Sequence, residues 1–211
     1  PRFGEAYYRQ ALAELKLGKP SDALRALQRA VELEPNNTDA ATKLAELYLI
    51  AYAGSEQKPK NILKEIEDIS KKLLDKNPNS FEGLRLRGFI QLANNERAAA
   101  LDSFLAADRT KPFQRDLATV IYQTLIQNER VDEANAYAQK MMEKDKDFEP
   151  MYDVVYAYYA TRDNIPAAET AMQRKLAAFP KRPEVKIQMA AHYFASKQFD
   201  KMQSTLDQVL K

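Results

Sequence analysis

The side chains that could perform chemistry in this sequence of 211 residues are few. His192 is the only histidine and cysteine is absent, so disulfides, cysteine nucleophiles and metal sites built from several such ligands are excluded. A single histidine forms a catalytic triad only with a serine and an aspartate in reach. We therefore predict that His192 is packed or half-exposed on a helix rather than catalytic.

Carboxylates are plentiful, but their spacing does not predict a site. Asp145, Asp147 and Glu149 alternate like the start of a calcium loop, yet the segment lacks a glycine at the sixth position and a glutamate at the twelfth. Gly18-Lys19 lacks the preceding glycine pattern of a phosphate-binding loop. Most other acidic residues alternate with lysines at helical spacing, which is typical of a solvated face. The sequence predicts no enzyme, no metal and no cofactor.

Composition narrows the class of protein. Lys+Arg 32 against Asp+Glu 30 gives a net charge of +2, which argues against nucleic-acid or membrane-surface binding. Five glycines are too few for an all-β fold, and no apolar run approaches the ~20 residues of a membrane-inserted helix. The localisation stays unknown, since cytoplasm and periplasm are both compatible. Because the chain begins at Pro1, we expect it to be a fragment of a longer protein.

Two independent markers indicate a repeat. Pro35, Pro78, Pro112 and Pro180 are separated by 43, 34 and 68 residues, and small or apolar residues recur every 34 residues from Ile66 to Met202. The period is therefore 34, with an insertion of nine residues near 51–60. A single domain over 1–211 is predicted, with repeats at 1–37, 38–80, 81–114, 115–148, 149–182 and 183–211.

Each repeat is predicted to contain two amphipathic helices, A and B. In the first, helix A runs over Gly4–Leu17 and ends at Gly18, a residue that accepts a left-handed C-terminal conformation. Helix B starts near Ser21 and ends before Pro35, which cannot continue the helical hydrogen bonds. Thr38 or Asp39 is expected to cap the following helix.

The segment from Ala23 to Asn37 resembles the consensus second helix and exit turn of the tetratricopeptide repeat (TPR) family. Small residues stand where the family's helices cross, namely Ala11, Ala45, Gly88 and Ala190 in helix A, and Ala23, Ala100, Ala134, Ala168, Ala30 and Ala107 in helix B. The resemblance implies an all-α, right-handed α-solenoid of about six units, or about twelve antiparallel helices. It also implies a concave groove, lined by the A helices, that binds a peptide or a partner protein.

Groove positions can be transferred from the family onto this sequence. The candidate peptide-binding residues are Tyr8, Leu12, Thr42, Glu46, Arg85, Phe89, Thr119, Gln123 and Asp153. The family's basic clamp for acidic C-terminal tails is not assembled, because Tyr8, Leu12 and Phe89 stand at clamp positions. The asparagine ladder of glycosyltransferase-linked arrays is also missing. The identity of the partner is therefore not predicted.

Two further segments invite a functional interpretation. The last helix carries an apolar stripe of Phe199, Met202, Leu206, Val209 and Leu210 with no following helix, which predicts either missing repeats or self-association through this end. An ordinary, partly exposed end helix is the alternative. The insertion around Gly54–Lys60 is lysine-rich, and we prefer a solvated surface insertion over a loop that binds an acidic partner.

We therefore predict a non-catalytic protein-interaction scaffold. The alternative is the TPR portion of a larger bacterial assembly or secretion protein, for example in exopolysaccharide export or sorting. RNA binding is less favoured, because the net charge is nearly neutral and acidic residues occur at one edge of the predicted groove.

Overall fold

The computed structural model describes residues 3–209, and that part of the chain is all-α. It contains twelve helices and no strand. In order, they are α1 (Phe3–Lys16), α2 (Pro20–Leu33), α3 (Thr38–Gly54), α4 (Lys60–Lys76), α5 (Phe81–Ala93), α6 (Arg97–Thr110), α7 (Arg115–Gln127), α8 (Val131–Lys144), α9 (Glu149–Ala160), α10 (Ile165–Ala178), α11 (Pro183–Ala195) and α12 (Phe199–Asp207). The predicted fold class and helix number are confirmed. None of the helices in 3–209 has the length and apolar character that a bilayer crossing requires.

The chain comprises two compact units, Pro1–Pro112 and Phe113–Lys211, each with three helix pairs. A single domain over 1–211, expected from the sequence, stays a prediction. The odd-numbered helices are the predicted A helices and the even-numbered ones the B helices. Within each unit, consecutive helices pack against each other, which is the arrangement expected when every repeat buries the apolar face of its neighbour.

Short polar turns set the helix boundaries. Gly18 has a φ of +70°, and its amide donates to the Leu15 carbonyl while the Lys19 amide donates to Glu14, which closes α1 as predicted. At the start of α3 the cap is Asn37, whose side chain accepts a hydrogen bond of 3.0 Å from the Ala40 amide. The expectation of a cap at Thr38 or Asp39 was wrong by one residue, because Thr38 is already helical.

Small residues at the helix crossings are buried, as the repeat pattern predicts. Ala11, Ala23 and Ala30 are all fully buried in the first pair. Gly88 of α5 faces Phe104 of α6, and a Cβ built on Gly88 would fall 2.8 Å from the ring's Cζ and nearer still to two other ring atoms. The Phe104 ring therefore occupies the volume that a side chain at residue 88 would need.

The insertion lengthens both helices of the second pair, since α3 and α4 have 17 residues each. The intervening turn is held by Lys58, whose ammonium donates hydrogen bonds to the carbonyls of Tyr52 and Ala53 at 3.1 and 2.8 Å. Both carbonyls lie in the last turn of α3, and that of Tyr52 also accepts a hydrogen bond of 3.3 Å from the Ser55 amide. Lys58 thus stabilises the end of α3.

Candidate functional site

The predicted groove residues lie on the A helices, and we call the exposed and half-exposed side chains of these helices the A-face. In the first unit, Tyr8 and Leu12 of α1 and Thr42 of α3 are half-buried. Burial, followed by the charge of Asp39 of α3, raises the pKa of the Tyr8 hydroxyl. These three uncharged side chains are the predicted groove residues of α1 and α3 other than Glu46, and we call them the α1/α3 patch.

Next to this patch, the charged groove residues bind one another. The Glu46 carboxylate accepts hydrogen bonds from Lys43 at 2.7 Å and from Arg85 of α5 at 2.6 Å. Burial opposes ionisation of Glu46, but the two cationic donors outweigh it and hold the pKa of its carboxyl below the ordinary value. Arg85 is itself only 8% exposed and lies 5.9 Å from the Phe81 ring centroid. These residues fix α3 against α5, so a ligand would have to compete with an existing ion pair.

Phe89 also has a structural contact. It is half-buried, and its ring meets that of Phe104 edge to face, with centroids 5.1 Å apart. The exposed part of the Phe89 ring is available to a ligand, but packing against Phe104 fixes where the ring lies.

The A-face of the second unit contains a cleft. A cleft of about 440 Å³ lies between α7 and α9, and we call it the α7–α9 cleft. Its lining includes Gln123 and Ile126 of α7 and Val154, Ala157 and Tyr158 of α9. Gln123 and Ala157 are exposed and the other three are half-buried. Thr119, also predicted for the groove, is half-buried on α7 one turn before Gln123 and does not line this cleft.

Tyrosines form one wall of the α7–α9 cleft. Tyr158 meets Tyr122 edge to face, with centroids 6.4 Å apart, and the Arg162 guanidinium lies 4.1 Å from the Tyr158 ring centroid. Tyr122 is 1% exposed, and its hydroxyl has no hydrogen-bond partner. Burial, together with Tyr159 and Tyr158, raises the pKa of Tyr122, so the hydroxyl stays protonated. The cleft thus combines an aromatic wall with an unused polar group beneath it.

Asp153 of α9, the last predicted groove residue, is held by a buried lysine. Lys175 of α10 is fully buried, and its ammonium contacts Asp153 at 2.5 Å, Glu149 at 2.9 Å and Gln188 of α11 at 2.7 Å. Asp153 and Gln188 are exposed, so the lysine stem passes through the core and ends among side chains of the A-face. Lys175 therefore fixes the position of two surface groups on neighbouring helices.

Sequence reasoning missed Lys175, Gln188 and the Tyr158–Arg162 contact as parts of this surface. A signal for Lys175 was available, because it occupies the crossing position that holds Ala30 and Ala107 in other repeats. A long cation at a small-residue position indicates that the charge must find partners nearby. No periodicity signal identifies the Tyr158–Arg162 contact, because it depends on how α9 ends.

His192 is packed rather than exposed. It is 4% exposed, its Nδ1 lies 3.4 Å from the Tyr156 hydroxyl, and its Nε2 has no partner. Burial lowers the pKa of the imidazole, which favours the neutral ring. Within residues 3–209, no group of three or more histidine or carboxylate residues is arranged to hold a metal ion.

The residues of the apolar stripe predicted for the last helix differ in burial. Met202 packs against Met172, Met189 and Tyr193, whereas Phe199 is 53% exposed. Leu206 and Val209 are half-buried. Helix α12 ends at Asp207, so Val209 lies in the following turn and Leu210 is outside the described residues. Self-association through this helix stays a prediction.

Comparisons with known proteins test the resemblance to the tetratricopeptide repeat family. The family model described as Tetratricopeptide repeat matches residues 4–37. The rat protein DnaJ homolog subfamily C member 3 is 36% identical over 108 residues, which are 50% of this chain and 20% of that protein. The chain thus spans one fifth of that relative's length.

Solved structures extend the similarity over almost the whole chain. A thermophilic TPR protein from Thermus thermophilus has a TM-score of 0.66 at 16% identity, covering 90% of this chain and 99% of that one. PilF from Pseudomonas aeruginosa has a TM-score of 0.67 at 16% identity, covering 98% of this chain and 90% of that one. The predicted repeat solenoid fold is confirmed. Residues 4–37 thus match the Tetratricopeptide repeat model in sequence, and the helix pairs throughout 3–209 have the fold of tetratricopeptide repeat proteins.

Proposed function

We propose that this chain is a non-catalytic scaffold that binds a peptide segment of a partner protein on the A-face of its second unit. The fold is one whose members serve protein–protein interaction. The observation that carries the more specific proposal is the α7–α9 cleft, with its aromatic wall and the unpartnered Tyr122 hydroxyl. Assignment to a larger assembly or secretion protein stays an alternative prediction.

The composition of the cleft suits a peptide. Tyrosine provides a large, rigid contact surface at low entropic cost, and such residues are enriched where proteins bind one another. The exposed Gln123 can exchange hydrogen bonds with a peptide backbone, while Ile126 and Val154 contact an apolar side chain. The first unit is less suitable, because the Glu46 carboxylate already forms ion pairs with Lys43 and Arg85.

The test is a selection of peptide binders followed by variants of the cleft. Twelve-residue peptides displayed on phage would be selected on the immobilised 211-residue chain, and the binders measured by fluorescence anisotropy. Ala157→Arg places a long side chain in the cleft and is expected to weaken binding at least about tenfold. Ala177→Arg on the exposed side of α10 introduces the same side chain away from the cleft and is expected to leave affinity unchanged.

A third variant examines the aromatic wall. Tyr158→Ala removes the ring that contacts Tyr122 and is expected to cost more than about 1 kcal/mol of binding free energy. Equal affinities for Ala157→Arg, Tyr158→Ala and the unmodified chain would show that the selected peptides bind elsewhere. RNA binding would instead appear as an affinity that falls steeply with salt.

A further inference from the structure

A second cleft lies between B helices, in the first unit, and we call it the α2–α4 cleft. It encloses about 710 Å³, which is in the size range of ligand-binding sites. Its apolar lining comes from Val31 of α2, Ala41 of α3, and Ile69 and Leu73 of α4. Ile69 and Leu73 are each 6% exposed and belong to the core of the unit, so the floor of the cleft is rigid.

The rim of this cleft is positively charged. Lys72 and Lys76 line it from α4, one helical turn apart, and both are exposed. Neither forms a hydrogen bond or ion pair with any residue in 3–209. Asp75 also lines the cleft, but its carboxylate is bound by Lys71, which does not. The two cations of the rim are therefore uncompensated.

Three other lysines in residues 58–76 have partners within the chain, unlike the two lysines on the rim of the cleft. Lys58 binds carbonyls at the end of α3, Lys64 binds Asp68 at 3.0 Å, and Lys71 binds Asp75. Each of these cations is satisfied within the chain, whereas Lys60 forms no such contact in 3–209 but does not line the cleft. Unpaired positive charge at the rim of a cleft with an apolar lining is the pattern of a surface that meets an anionic, partly apolar ligand.

We propose that the α2–α4 cleft is a second peptide-binding site, which takes one large apolar side chain flanked by carboxylates. The apolar side chain rests on Ile69 and Leu73, and the flanking carboxylates pair with Lys72 and Lys76. This site is distinct from the proposed A-face site, because it lies in the other unit and between B helices. It gives the scaffold a separate position for an acidic partner segment.

The absence of tryptophan from this chain permits a direct assay. The probe is the blocked pentapeptide acetyl-Glu-Asp-Trp-Asp-Glu-amide, whose single indole reports its own surroundings. We expect a saturable blue shift of its fluorescence on addition of the full chain, weaker at high salt. The same peptide with four lysines in place of the acids is expected to show no shift.

Two variants that act by different physical effects locate the site. Lys72→Glu/Lys76→Glu reverses the rim and is expected to weaken binding about tenfold or more. Ala41→Leu fills the floor without changing charge and is expected to weaken it by a similar factor. Lys16→Glu/Lys60→Glu changes two exposed lysines of the same unit that do not line the cleft, and it is expected to stay within about twofold of the unmodified chain.

The outcomes separate this proposal from the A-face proposal. Loss of the shift in both cleft variants but not in the control, with Ala157→Arg unaffected, supports the α2–α4 site. Equal weakening in the control would show nonspecific charge attraction and overturn the proposal. It would also be overturned if Ala41→Leu, folded by circular dichroism, bound the probe normally, or if decanoate bound in the cleft and the peptide did not.

Discussion

The contact between Gly88 of α5 and Phe104 of α6 tests how tightly these two helices are packed. Gly88→Ala adds one methyl group that would lie 2.5 Å from Cδ1 and 2.8 Å from Cζ of Phe104, and closer still to Cε1. Phe104 is fully buried and is also packed against Phe89, so its ring has little freedom to move aside. The methyl group must therefore displace the ring or separate the two helices.

Two opposing effects determine the magnitude. Replacing glycine by alanine within a helix stabilises it by about 1 kcal/mol. Overpacking a well-filled core destabilises by about 1–3 kcal/mol, and three overlapping ring atoms place this site at the upper end of that range. We expect Gly88→Ala to lower the free energy of unfolding by about 2 kcal/mol and the thermal midpoint by about 4–8 °C.

Urea and thermal unfolding followed by far-ultraviolet circular dichroism would measure the effect. Gly54→Ala is the matched control, because no atom lies within 4 Å of the Cβ that it adds at the end of α3. It is expected to be neutral or stabilising. Combining Gly88→Ala with Phe104→Leu should recover at least about 1 kcal/mol relative to the sum of the single changes. A stabilised Gly88→Ala variant, or strict additivity in the pair, would refute the packing argument.

Two further predictions concern polar contacts. Glu46→Gln leaves Arg85 buried without its anion and should destabilise the chain at pH 7 by about 1.5–3 kcal/mol. Because folding lowers the pKa of Glu46, its contribution is present above the unfolded pKa and is lost as the pH falls through the folded one, so the urea midpoints of variant and parent should converge as the pH falls below that of the unfolded carboxyl; an unchanged gap at low pH would contradict this. Asn37→Ala should cost about 1 kcal/mol through loss of the cap on α3, whereas Thr38→Ala should cost little, and the reverse order in urea unfolding would show that the cap is misplaced.

The buried lysine connects stability to the proposed function. Lys175 holds Asp153 and Gln188, which belong to α9 and α11, through one ammonium group. A buried cation with excellent hydrogen bonding is not by itself a strong source of stability, because its desolvation offsets much of the attraction. Its clearest effect is geometric, since it fixes two exposed polar groups of the A-face relative to each other.

The amino-acid sequence by itself determined the repeat, the helix pairing and most helix ends. A period of 34, alanines at crossing positions and prolines after B helices are local features, and each acts through backbone geometry or the size of one side chain. The cap of α3 was misplaced by one residue, because several polar side chains in 36–39 could serve and only the folded turn selects Asn37.

Only the tertiary structure decided which groove residues remain free. Position in the repeat placed Glu46, Arg85 and Gln123 equally on the A-face, but contacts between α3 and α5 engage the first two in an ion pair and leave Gln123 exposed. The same holds for the lysines of 58–76, because distances across turns and helix faces decide which of them have a partner. Periodicity specifies the side of a helix on which a residue lies, whereas a binding surface depends on which neighbours satisfy its charges, and that requires the packed helices.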